Sequence, residues 1–166
     1  MNNTSALVHV EKLYKEFTNG PERLRIIDGI SLSIEPGSIL VITGSSGSGK
    51  STLLNILGGL ERPSSGEIHS CGYILTNAKE EDLNIYRSHS VGFVFQFHHL
   101  LKDFNALENV LLPAYMAGKG KNKAQEEAKV LLEDVGLANR MDHYPSQLSG
   151  GERQRVALAR ALINRP

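Results

Sequence analysis

Apolar positions along the chain change their spacing near residue 100. Before it they gather in short runs broken by Gly, Pro and Ser; after it they recur at helical intervals. Leu7–Val10 and Ile26–Ile34 read as short strands, the second interrupted by Asp28-Gly29. Glu35-Pro36-Gly37 has the composition of a turn. Ser38–Thr43 (SILVIT) is short and β-branched, which predicts a buried strand. A helix is expected to rise from the Gly-rich stretch behind it, with Leu53, Leu54, Ile56 and Leu57 on its apolar side and Gly58-Gly59 as its end. Arg62–Gly66 is expected to be a loop, Glu67–Leu75 to hold a strand, and Val91–Gln96 (VGFVFQ) to form another. From Ala106 the pattern is helical. Ala124, Ala128, Leu131, Leu132 and Val135 share a helical spacing that Gly136 stops, and Gly151–Asn164 is the last helix.

Composition narrows the class. The 166 residues suffice for one domain with a real core, and 40% hydrophobic with 22% charged residues is ordinary for a globular chain. Lys+Arg and Asp+Glu are both 18, so the net charge is zero, which argues against gripping nucleic acid through bulk charge. A single cysteine, Cys71, cannot form an internal disulfide and fits a reducing compartment. The N-terminal MNNTSALVHV has no basic segment followed by a long apolar run, and no apolar stretch approaches the roughly 20 residues of a membrane-spanning helix. Any membrane association is therefore expected to pass through a partner.

The candidate chemistry sits at two glycine-rich stretches. Gly44, Ser45, Ser46, Gly47, Ser48, Gly49, Lys50 and Ser51 match G-x-x-x-x-G-K-[ST], and Thr52 follows. Glycines let successive backbone N–H groups point inward as an anion nest, and the helix behind adds free N–H groups and a partial positive charge. Lys50 is placed to reach β- and γ-phosphates and the Ser51 hydroxyl to ligate Mg²⁺. The second stretch is Leu148-Ser149-Gly150-Gly151-Glu152-Arg153-Gln154. Ser149-x-x-Glu152 is a capping box in its own right. The two glycines inside it are unexpected, because each weakens a helix by about 1 kcal/mol relative to alanine. A bare surface beside free N–H groups suits a second phosphate.

Together the motifs resemble those of ATP-binding-cassette (ABC) proteins: GSSGSGKST their Walker A loop, LSGGERQ their signature. The resemblance covers the whole chain. It implies an α/β fold, a P-loop NTPase of the ABC type, with a β-rich ATP-binding core over 1–100 and a helical signature subdomain over 101–166. It implies ATP and Mg²⁺ as ligands, and a homodimer in which two copies pack head to tail. Each ATP then lies between one copy's Walker A loop and the signature residues Leu148, Ser149, Gly150, Gly151 and Glu152 of the other. Gln96 is similar to the Q-loop glutamine, which in the family meets Mg²⁺ and the attacking water, so Lys50 and Gln96 are the implied catalytic residues and Ser51 and Gln96 the implied Mg²⁺ contacts. Tyr14, in EKLYKEF, matches the aromatic that stacks on adenine; by residue character alone it serves core packing equally well.

Gln96-Phe-His-His-Leu-Leu101, Asp103-Phe104 and Ala106–Val110 are similar to the lipoprotein-releasing branch of the family, the LolD type. MacB-type exporters and FtsE are relatives that differ after the Q-loop glutamine. The branch implies LolC/LolE-like integral membrane permease subunits as partners, a peripheral position on the cytoplasmic face of the inner membrane, and no nucleic acid. An FtsE-like regulatory cassette or a MacB-type export ATPase is the alternative. His98-His99 is read as a loop against a membrane subunit rather than a metal site, because neighbours in sequence do not share a face. In the family a Walker B strand ending in Asp-Glu and a switch histidine follow the signature helix. The sequence stops at Pro166 before them, so the chain is expected to be an incomplete cassette that hardly hydrolyses ATP as it stands. Val130–Asp134 lies upstream of the signature and is read as a helix face, not as that strand.

Overall fold

The structure, a computed structural model, describes residues 6–166. The chain divides into two compact units, up to Tyr86 and from Arg87 to Pro166.

The first unit is built on an antiparallel sheet. Strands β1 (Val8–Asn19) and β2 (Glu22–Ile34) form a long hairpin, and β3 (Ser65–Ser70) and β4 (Tyr73–Ile74) extend it in the order β2-β1-β3-β4. Gly20-Pro21 turns the first hairpin, with Gly20 at φ 62°. Both strands run longer than the sequence reading, because bulges absorb the breaks: the β1–β2 register shifts at three places, two of them at Gly29 and Lys12. Asp28-Gly29 does not interrupt β2: Gly29 takes φ 70° and fills a register shift opposite Leu13 and Tyr14. Glycine suits the positive φ, and a Cβ would stand 3.0 Å from the Tyr14 hydroxyl, so the ring would have to give way to any larger residue. The second bulge is at Lys12, whose N–H donates to Ser31 Oγ at 2.9 Å. Ser65 joins β3, so the loop expected over Arg62–Gly66 is shorter, and the strand expected over Glu67–Leu75 is two strands joined at Cys71-Gly72.

Helix α1 (Lys50–Leu57) follows the glycine-rich loop as expected, and Gly58-Gly59 ends it. Leu53 and Ile56, one turn apart, are buried; Leu54 points out and is 55% exposed, against the expectation of an inward side chain. Helix α2 (Glu80–His89) has no counterpart in the sequence reading, because only Leu83 and Tyr86 are buried on it. Its signal was electrostatic: Glu80, Glu81 and Asp82 in the first turn, Arg87 and His89 in the last. Tyr86 donates its hydroxyl to the Leu57 carbonyl at 2.7 Å and shares a hydrogen bond with Ser70 at 2.8 Å, and burial pushes its phenol pKa up.

Two expected strands are not strands. Ser38–Thr43 pairs with no strand among the described residues, and Ile39 and Val41 are 92% and 73% exposed. Its composition suits the interior of a parallel sheet, which requires neighbours on both edges. Val91–Phe95 belongs to no strand among the described residues and leads into a turn at Gln96; exposure alternates along it, and the Phe93 and Phe95 rings stack 5.4 Å apart.

The second unit is helical: α3 (Ala106–Met116), α4 (Lys121–Asp134) and α5 (Gly150–Leu162). Its core is one cluster including Ala106, Val110, Ala114, Ala124, Ala128, Leu132, Val156 and Ala159, in which small side chains let helix axes approach closely. Ala124, Ala128 and Leu132 are buried at the expected spacing, with Leu131 and Val135 packed at the margin. Gly136, at φ 74°, ends α4 in a Schellman motif: Gly136 N–H donates to Glu133 O at 2.8 Å and Leu137 N–H to Leu132 O at 2.7 Å. Val130–Asp134 is helical, as read. Among the described residues no helix is long and apolar enough to cross a membrane.

Candidate functional site

The first unit holds the glycine-rich loop expected to take phosphate. Glu35-Pro36-Gly37 turns the chain, with Ser38 N–H on Glu35 O at 3.2 Å, and the segment 38–43 leads into Gly44. Gly47 and Gly49 hold φ values of 80° and 86°, open to glycine at little cost. At Gly49 the backbone also runs close to its neighbour: a Cβ would lie 2.8 Å from the Ile26 carbonyl oxygen and 3.0 Å from Ile26 Cγ2. The Lys50 ammonium reaches back into the loop and donates to Gly44 O at 3.0 Å, Ser45 O at 2.6 Å and Ser48 Oγ at 3.3 Å. A cation is thus held inside a ring of small residues at a helix start, which is the electrostatic requirement for a polyphosphate. Gly49 at the N-cap supplies no side-chain oxygen to α1, so a ligand is free to satisfy the first N–H groups of the helix.

A cavity of about 210 Å³ opens at this helix start, lined by Gly47, Ser48, Gly49, Lys50, Ser51, Thr52, Ile26 and Phe17. Phe17 is the residue that sequence reasoning missed. It lies three positions beyond Tyr14 on β1, is 42% exposed, and carries the Lys15 ammonium 4.7 Å from its ring centre. Its signal was an exposed aromatic in an otherwise polar strand end. Tyr14 is half-buried against Gly29, with the Arg25 guanidinium 5.9 Å from its ring, and does not line this cavity.

The second unit contributes the signature turn. Leu148 is buried, while Ser149, Gly150 and Gly151 are exposed. The capping box is formed: Ser149 Oγ accepts from Glu152 N–H at 3.3 Å, and Glu152 Oε2 accepts from Ser149 N–H at 2.8 Å. The Ser149 backbone N–H, then its hydroxyl and Arg140, hold the Glu152 carboxyl below the usual carboxylate range. Neither glycine is required by its surroundings. A Cβ on Gly150 would meet nothing closer than 4.0 Å, one on Gly151 nothing closer than 3.8 Å, and neither residue has a positive φ. The chain carries glycine there without an internal reason, which leaves close approach of something from outside.

Gln96 belongs to the same unit, exposed on a turn. His98 N–H donates to Phe95 O at 3.0 Å and His99 N–H to Phe97 O at 2.7 Å. The His99 ring meets Phe95 edge-on at 5.2 Å, and His98 Nδ1 is buried with no hydrogen-bond partner. Two side chains hold the segment behind it. Arg160 of α5 donates to the carbonyls of His98 and His99. Asn109 of α3, 1% exposed, accepts from Leu101 N–H at 2.8 Å and donates to the carbonyls of Leu101, Phe104 and Asn105. Neither was singled out in the sequence, although an arginine on the buried face shared by Val156 and Ile163 is a readable signal.

The residues present fit a Mg²⁺–nucleotide through the phosphate loop: the cradle at Gly49 and the ammonium of Lys50 suit the phosphates, and the exposed Ser51 hydroxyl suits the ion. Residues 27–166 match the family described as ABC transporter. The chain is 58% identical over 160 residues to a lipoprotein-releasing system ATP-binding protein LolD of Treponema denticola, covering 96% of this chain and 71% of that protein. It is 49% identical over 152 residues to the LolD protein of Saccharophagus degradans, covering 92% and 67%. Among solved structures it is similar to a dimeric post-hydrolysis state of the ATP-binding cassette MJ0796 bound to ADP and Pi, with a TM-score of 0.89, 37% identity, and coverage of 96% of this chain and 70% of that one.

Proposed function

The chain belongs to the ABC transporter family, and from that membership we propose that it is the ATP-binding and ATP-hydrolysing subunit of a transporter that releases lipoproteins from the inner membrane. The observation that carries the reading is the pair of phosphate-ready helix starts, one of which keeps glycines that its own chain does not need.

The nucleotide's phosphates bind at Gly44–Thr52. Backbone N–H groups of the loop and of the α1 start point at them, and the Lys50 ammonium exchanges its carbonyl partners for β- and γ-oxygens. By the motifs they match, Ser51 and Gln96 would be the residues that hold Mg²⁺, which would supply neutralisation of the charge that develops between the phosphoryl groups. Gln96 also orients the attacking water. Tyr14 offers its ring to adenine, and Phe17 forms the apolar wall beside the phosphate loop. A second copy of the chain, packed head to tail, closes Leu148, Ser149, Gly150, Gly151 and Glu152 over the γ-phosphate. Its bare glycines let backbone N–H groups approach without side-chain interference. Closure and release of the dimer pass through the segment after Gln96 to LolC/LolE-like permease subunits on the cytoplasmic face of the inner membrane.

The test is calorimetric titration of ATP into the full-length protein and its Lys50→Ala variant. Affinity is expected to fall at least about a hundredfold in the variant, since an ammonium–phosphate contact in a closed cradle is a charge-assisted one. Equal affinity in both proteins removes the reading. Co-purification then separates its branches: lipoprotein-releasing permeases support it, and division proteins favour an FtsE-like regulator.

A further inference from the structure

Arg160 spends its guanidinium on backbone. Nη2 donates to the carbonyl of His98 at 2.6 Å and Nη1 to that of His99 at 2.8 Å. Among the described residues no carboxylate pairs with it. The two residues it holds sit at φ 61° and 47°, consecutive left-handed positions of a kind that costs a non-glycine residue conformational energy. Such a turn persists only where its surroundings impose it, and a planar fork that reaches adjacent carbonyls is suited to that task. The same stretch is pressed on α5 a second time at Gly92, where a Cβ would lie 2.5 Å from the Ala161 carbonyl oxygen.

These contacts fall at one end of α5 and the signature glycines at the other. From Gly150 to Arg160 the helix rises about 15 Å as one hydrogen-bonded rod. A displacement of its first turn is therefore delivered to the carbonyls of His98 and His99, immediately after Gln96.

We propose that Arg160 is the positioning residue that fastens the Gln96 turn to the signature helix, so that closure of the Ser149–Gly151 turn on a nucleotide is transmitted to Gln96. The inference rests on the ATPase reading above and names a connection inside it. Arg160 is not among the residues lining the cavity at the α1 start. It acts through the two histidine carbonyls.

A simpler role is available to this side chain. It is a cation in the last turn of α5, where positive charge favours the helix dipole. Arg160→Lys separates the two, because lysine keeps the charge at that position and loses the planar fork. The experiment measures steady-state ATP turnover of the full-length protein in its membrane complex, together with amide hydrogen exchange over residues 96–101 without nucleotide, for wild type, Arg160→Lys and Arg160→Gln. Expected in both variants are a fall in kcat of at least about tenfold, a KM for ATP within about twofold of wild type, and exchange over 96–101 accelerated at least about tenfold while the α3–α4 amides keep their protection. Wild-type turnover and loop exchange in Arg160→Lys overturn the proposal, leaving a dipole role. A loss of protection spread over α3, α4 and α5 overturns it too, since that is a packing defect. Accelerated loop exchange with unchanged kcat overturns the coupling while the ATPase reading stands. The Lys50→Ala titration tests that reading separately.

Discussion

Two glycine-rich helix starts do different things with the same residue. In the phosphate loop the glycines answer to their own chain: Gly49 is left-handed, and its backbone passes so near Ile26 that any side chain would collide with a carbonyl. In the signature turn the glycines answer to nothing nearby, having ordinary dihedrals and open space around them. The first is a site that the fold assembles alone. The second is a bare surface whose glycines lower helix propensity with no packing reason, which suits the partner contact proposed for it. A difference in what surrounds a glycine thus separates a turn whose own packing requires glycine from one whose packing does not, even where the sequence motifs look alike.

Substitutions sharpen or break this contrast. The largest effect is expected at Gly49→Ala, which forces a strained φ and a backbone collision. Thermal denaturation is expected to show about 2–4 kcal/mol of lost stability, and ATP binding is expected to disappear with it. A variant as stable as wild type would place the signature and phosphate loops in one class. Gly151→Ala is expected to do the reverse. The helix gains up to about 1 kcal/mol, ATP affinity stays within about twofold, and steady-state turnover falls at least about tenfold. Stability and turnover rising together would mean that nothing approaches that surface.

Ser149→Ala removes the cap and is expected to lower stability by about 1 kcal/mol in chemical denaturation, with a smaller effect in Ser149→Gly. The mildest test is pH. Glu152 is held below its ordinary carboxylate value, first by the Ser149 N–H, so its contribution is present above the unfolded carboxylate range and is lost as pH falls through the lowered folded value. Amide exchange at Ser149 is expected to quicken only as pH falls below the ordinary carboxylate range, and Glu152→Gln to remove that step.

Legibility followed locality. The capping box at Ser149-x-x-Glu152, the Gly136 stop and the Glu35-Pro36-Gly37 turn were readable because each is closed by hydrogen bonds within a few residues. Ser38–Thr43 and Val91–Gln96 were misread as strands for the complementary reason: a strand is defined by partners elsewhere, and none pairs with either segment among the described residues. The bulges at Lys12 and Gly29 could not be seen from one strand, because a register shift belongs to a pair. Helix α2 was passed over because its apolar stripe is only Leu83 and Tyr86, although its charges were arranged for a helix.

The amino-acid sequence by itself determined the family and the candidate phosphate loop, since nests, caps and helix starts are specified by residue type at fixed spacing. Tertiary structure alone decided which glycines are obligatory, that Phe17 rather than Tyr14 walls the phosphate loop, and that Arg160 grips the turn behind Gln96. Each of those depends on a close approach between segments distant in sequence, and such distances are set by packing and not by any local pattern.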